Sequence, residues 1–285
     1  MTRRRFAWLD VFTHSPLSGN GLAVVVDGDG LDDARMLAFA RETRLSETTF
    51  VQPAADPRAD YRNRIWDARR ELVFAGHPSL GTAVAVARAR GERSARYVQQ
   101  TVAGCQPVEV ELAGDRHARA TMLQEPAAFG PELEAADVLA LCGLEAHRAE
   151  PDLPAQVVST GVPQVLVAVR DAQALAAARP DWPRIGALLD SHHALVLYVF
   201  CCPEDSSAVR ARAFAYSQQM GEDPATGSAA GPLCAYLQAR RGTEALEIEQ
   251  GVEMGRASRL SAAMEGDRPR VGGDVVAVLE GHALL

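Results

Sequence analysis

Apolar positions along this chain fall into short runs separated by turn residues. Residues 6–12 mix aromatic and β-branched side chains and predict a strand, and residues 22–26 (LAVVV) form an apolar run between turn signals, as a buried strand does. The segment between them, SPLSGNG, is a loop by its proline and glycines. Residues 31–45 place Leu31, Ala34, Leu37, Ala38 and Arg41 at helical spacing behind Asp32, which predicts an N-capped helix. Further strands are expected over 47–51, 61–66, 71–75, 108–112, 118–123, 156–159, 164–169, 194–200, 210–215, 245–250, 256–263 and 274–279. Helices are expected over 131–142, 182–191 and the alanine-rich stretch 172–180. Many strands among few helices, with no regular βαβ spacing, make the fold class α+β.

Two apolar runs differ from the rest by lacking any polar face. AGHPSLGTAVAVA (75–87) and GEDPATGSAAGPLCAYL (221–237) both open on x-Pro-x-x-Gly-[Ser/Thr]-Ala, with His77 and Asp223 in the first position. The copies stand 146 residues apart, from 77 to 223, about half of the 285-residue chain. A helix apolar on all sides is a buried helix. The pattern therefore predicts an internal duplication, with each half a curled sheet around a central helix. The polar turn at 113–118 marks the expected seam. The halves are placed at 1–115, completed by a C-terminal strand over 272–285, and at 118–270.

Proline is favoured at the first position of a helix, so His77 and Asp223 are expected at or beside the two N-caps. The small residues that follow leave the first-turn N–H groups open to an anion. Pro232 is expected to kink or interrupt the second helix. Neither copy is a phosphate-binding P-loop, since no Gly-Lys-[Ser/Thr] follows, nor a Gly-x-Ser-x-Gly nucleophile elbow.

Charge and composition narrow the classes. A net charge of −8 with Arg3-Arg4-Arg5 as the only basic run argues against a nucleic-acid surface. No apolar run reaches the roughly 20 residues of a membrane span, and no targeting segment stands out, so the expected location is the cytoplasm. Five cysteines without Cys-x-x-Cys spacing read as reduced packing residues, not as a zinc site or disulfide frame.

Taken together, DVFTHSPLSGNGLAVV, LSETTFV, FAGHPSLGTA, GEDPATGSAAGPL and QGVEMGRASRL, in this order over most of the chain, resemble the PhzF family of phenazine-biosynthesis isomerase-like proteins. One departure is Gly21, where the family pattern has proline after Gly-Asn. The resemblance implies a diaminopimelate epimerase-like fold of two pseudo-symmetric domains, an active site in the cleft between them, a homodimer, and no metal or organic cofactor. It implies Glu47 as the acid/base residue, with His77 and Asp223 beside it in the catalytic set. It places Asn20, Gly76, Ser79, Gly227 and Ser228 as substrate-binding residues. Related epimerases and racemases carry one thiol per half; the corresponding places here hold Ala75 and Asp223, which argues against two-thiol chemistry.

The expected reaction is a cofactor-independent proton shift within a small carboxylate-bearing substrate, such as trans-2,3-dihydro-3-hydroxyanthranilate. A same-fold epimerase, dehydratase or cyclase acting on another small amino or hydroxy acid is the alternative, because fold does not fix substrate. A catalytically silent binder is a third reading, which a retained glutamate base disfavours.

Overall fold

The computed structural model describes residues 2–203, 206–215 and 221–285. In chain order its elements are β1 (Arg3–Val11), β2 (Asn20–Val25), α1 (Asp33–Thr43), β3 (Glu47–Gln52), β4 (Tyr61–Trp66), α2 (Gly76–Arg90), β5 (Ser94–Thr101), β6 (Gly104–Ala113) and β7 (His117–Leu123). There follow β8 (Ala128–Leu133), α3 (Ala135–Ala140), β9 (Ala155–Ser159), β10 (Pro163–Ala168), α4 (Ala172–Ala177), α5 (Trp182–Ser191), β11 (Val196–Cys201) and β12 (Ala208–Ala215). The last are β13 (Glu222–Asp223), α6 (Gly227–Arg241), β14 (Ala245–Gln250), β15 (Ser258–Glu265) and β16 (Arg268–Leu284). The chain divides into one unit of residues 1–123 and 272–285 and another of residues 124–271.

In the first unit β1 to β7 pair in sequence order, and β16 lies beside both β7 and β1. That second pairing, from Arg3 against Leu284 to Val11 against Val275, closes an eight-stranded barrel. Strand alternation sorts the side chains of β3 to its two faces. Thr49 reaches inward to Thr82 on α2, their hydroxyls 2.7 Å apart. Phe50 joins Val25, Leu31, Met36, Ala40 and Trp66 in an outer core under α1. Asp32 caps α1 by accepting the Arg35 N–H at 2.8 Å, as expected.

Helix α2 fills the barrel, and every residue from Gly76 to Ala87 is buried. A Cβ at Gly81 would stand 2.5 Å from Leu22 Cδ2 and 2.9 Å from Val11 Cγ2, so only glycine lets the helix approach β1 and β2 this closely.

The second unit repeats the plan. Its strands run β9-β10-β11-β12-β14-β15-β16, with β8 added beside β9 and β13 beside β12. Helix α6 is buried at Gly227 and from Ala229 to Leu237. Leu175, Ile185 and Leu189 from α4 and α5 cover the other face over Val165, Val167, Leu197, Val199 and Phe214.

The duplication is thus legible in topology. Parallel pairs β2–β3 and β4–β5 are bridged by α1 and by α2. Parallel pairs β10–β11 and β12–β14 are bridged by α4–α5 and by α6. These are βαβ crossovers, which the sequence reading did not find; antiparallel hairpins alternate with them and hide the period.

Four further expectations change. Residues 71–75 form only an isolated bridge, Trp66 to Glu71, before the chain turns into α2. The helix expected over 131–142 shrinks to Ala135–Ala140, and β8 occupies the preceding residues. Pro131 fits β8 because an edge strand tolerates a missing N–H. The turn at 113–118 joins β6 to β7 inside the first unit, and the boundary falls at Gln124; a polar hairpin turn and a polar linker look alike in sequence. Pro232 lies within an uninterrupted α6. No helix among the described residues is long and apolar enough to cross a membrane.

Candidate active site

Glu47 opens β3 and Asn20 opens β2, and the parallel register sets Leu22 beside Glu47. His77 enters from the start of α2. The N-cap there is Ala75, in extended conformation, and Pro78 is the third helical residue instead of the first. His77 therefore stands inside the first turn. Its Nε2 lies 3.4 Å from Glu47 Oε2, in contact but longer than a well-made N–H···O bond.

Burial holds the His77 pKa down, to about 3, so the imidazole is neutral near pH 7 and the contact is no ion pair. A neutral imidazole has one donor and one acceptor nitrogen. The Ser46 hydroxyl donates to Asn20 Oδ1 at 3.3 Å, and the Asn20 amide nitrogen stands 3.2 Å from His77 Nδ1. Nδ1 then accepts, and the ring proton sits on Nε2, facing Glu47. Asn20, expected as a substrate ligand, lies beside His77 through its amide nitrogen. Ser79 donates its hydroxyl back to the Ala75 carbonyl at 2.7 Å. The Gly76 and His77 N–H groups have no hydrogen-bond partner among the described residues, as is usual in a first turn.

In the second unit the aligned motif starts its helix later. The N-cap is Thr226, and α6 begins at Gly227, the residue aligned with Gly81. Gly227 and Ser228 make the first turn, and their N–H groups likewise have no partner among the described residues. Asp223 precedes the helix on β13, paired with Ala213 of β12. The Thr226 hydroxyl donates to Asp223 Oδ2 at 2.6 Å.

Buried glutamines support this helix start. Pro232 has no N–H for the Ser228 carbonyl, and Gln164 Nε2 approaches that oxygen at 3.4 Å and Ser228 Oγ at 3.5 Å. Gln124 Nε2 donates to the Gly227 carbonyl at 2.9 Å. Gly231 leaves room for it, since a Cβ there would fall 1.9 Å from Gln124 Oε1. Side-chain donors thus carry α6 past its proline. Ser46, Thr226, Gln124 and Gln164 were missed by sequence reasoning; only the Ser-Glu and Asp-Pro-x-Thr-Gly contexts of the first two pointed to them.

Thiols are poorly suited to act here. Four of the five cysteines are buried, and desolvation pushes the Cys142 and Cys234 thiols up to about 12. Neither would ionise at neutral pH.

The family model for phenazine biosynthesis-like proteins, PhzC-PhzF, matches residues 9–281. The chain belongs to this family. A PhzC-PhzF relative, the trans-2,3-dihydro-3-hydroxyanthranilate isomerase of Pseudomonas aeruginosa, is 36% identical over 290 residues, covering 99% of each chain. A solved PhzF-family protein from Bacillus anthracis aligns over 100% of each chain with a TM-score of 0.86 at 25% identity. A hydroxyproline epimerase from Agrobacterium vitis aligns over 98% of this chain and 92% of its own, with a TM-score of 0.63 at 16% identity. The fold is therefore the diaminopimelate epimerase-like fold that the sequence resemblance implied.

Proposed function

We propose that this PhzC-PhzF isomerase shifts a proton between two carbons of one small carboxylate-bearing substrate, with Glu47 as the carrier. The observation that supports this most is the Glu47–His77 pair: a carboxyl group in contact with a buried, neutral histidine of defined tautomer. A carboxylate that takes a proton from one carbon can return it to another, so substrate and enzyme balance without an external reactant. His77 keeps a neutral imidazole 3.4 Å from the Glu47 carboxyl group. Asp223 and Ser228 enter this reading from the family resemblance, as groups for the polar parts of the substrate. The named relative points to trans-2,3-dihydro-3-hydroxyanthranilate, or an acid like it, as the substrate.

The test follows that compound by NMR in D₂O with the wild type and Glu47→Gln. Wild-type turnover with deuterium incorporation, falling at least roughly 1000-fold in the variant, is the expected result. Full activity in Glu47→Gln would remove Glu47 from the mechanism. Saturable binding without turnover would move the search to other small acids.

A further inference from the structure

We infer that Gln250 and Thr226 are positioning residues that set the carboxylate of Asp223, an inference resting on the isomerase reading above. Gln250 closes β14 and is fully buried. Its Oε1 accepts from the Tyr198 hydroxyl at 2.9 Å and the Thr226 backbone N–H at 3.2 Å. Its Nε2 donates to the Asp223 carbonyl at 2.7 Å and to Thr226 Oγ1 at 3.0 Å. Both donors and both acceptor sites of the amide are used.

These partners leave the amide one orientation. Flipped, it would set carbonyl against carbonyl at Asp223 and amine against N–H at Thr226. Tyr198 stays a donor, because burial first and the charge of Asp223 second hold its phenol well above the ordinary range. Since Thr226 Oγ1 accepts from Gln250, its own hydrogen is directed to Asp223 Oδ2, 2.6 Å away. One chain of bonds therefore runs from Tyr198 through Gln250 and Thr226 to the carboxylate, and Gln250 grips the Asp223 backbone as well.

The strand end is built for this contact. Gly251 has φ 75°, and a Cβ there would meet the Pro224 carbonyl oxygen at 2.6 Å. Only glycine lets the end of β14 lie against the Asp223-Pro224 backbone. β13 is just two residues long, so ladder bonds alone hold Asp223 weakly, and the glutamine supplies the missing restraint.

The test uses Thr226→Val, Thr226→Ser and Gln250→Glu in the full chain. Two quantities are read: kcat and KM in the D₂O exchange assay, and the Asp223 carboxylate ¹³C resonance, assigned through Asp223→Asn. Thr226→Val is expected to lower kcat roughly 10- to 100-fold, the order of loss expected from a misplaced group, with KM changed less than about threefold. Thr226→Ser, which keeps the hydroxyl, recovers most of that loss. The Asp223 resonance moves in Thr226→Val and Gln250→Glu and stays near its place in Thr226→Ser. If Gln250→Glu misfolds, the two threonine variants still carry the test. Wild-type kcat and an unmoved resonance in Thr226→Val would overturn the inference and leave the isomerase reading standing. If the wild type turns over nothing, the isomerase reading fails, and the resonance alone decides: moved in Thr226→Val but not in Thr226→Ser sustains the chain of bonds, unmoved in both overturns it.

Discussion

At the scale of single residues, burial decides the charge of His77 before any neighbour does. The folded imidazole titrates near 3, against 6.5 for the free side chain. Between those values the unfolded chain binds more protons, so stability falls as the pH drops from 6.5 toward 3 and is untouched above 6.5. The loss attributable to His77 is about 2 kcal/mol by pH 5. Denaturant unfolding at pH 7 and pH 5 should show a smaller drop, by about that amount, in His77→Gln than in the wild type. Equal drops in the two proteins would mean that the wild-type histidine is not buried and neutral. The sequence motifs of Glu47 and His77 are local, and the fold brings these two residues into contact. The bond from Asn20 to His77 was not legible in the sequence, because it joins residues on separate elements that only the fold brings together.

Among the elements, β13 depends on an ion pair beside the site. Arg212 on β12 meets Glu222 through two bonds of 2.8 Å, and donates to the Leu175 and Ala178 carbonyls at the end of α4. Arg212 is 6% exposed, so removing its partner leaves a charge in a poorly solvated place. Glu222→Gln should cost about 3 kcal/mol of unfolding free energy, read from the denaturant midpoint at constant slope. A cost below about 0.5 kcal/mol would place the pair with ordinary surface ion pairs. Element identity was mostly legible, since alternation and helical spacing are local signals; α1 lies behind the Asp32 cap expected for it, and α5 spans the expected residues 182–191. The start of α6 and its continuity through Pro232 were not legible. Both depend on Thr226, Gln124 and Gln164 supplying hydrogen bonds from outside the helix.

For the whole molecule, the duplication was visible because two wholly apolar helices repeat at half-chain spacing, whereas the strand pairing that encloses each helix has no local signature. Closure of the first barrel by β16 is such a case. Deleting residues 275–285 removes every partner that β16 gives to β1. Amide hydrogen exchange should then show lost protection throughout β1–β7 and α2, with protection kept in α6 and β10–β12. Uniform loss across both units would mean that the second unit does not fold by itself.

That closing strand also fixes an order in time. A ribosome delivers the chain from its amino end, so the residues of the second unit, 124–271, are all made while the first barrel still lacks its last stave. β1 and β7 must wait for β16, and their edges stay exposed until residues 268–284 have been made. A premature stop just before residue 275 would therefore spoil a barrel whose other seven strands had been made long before.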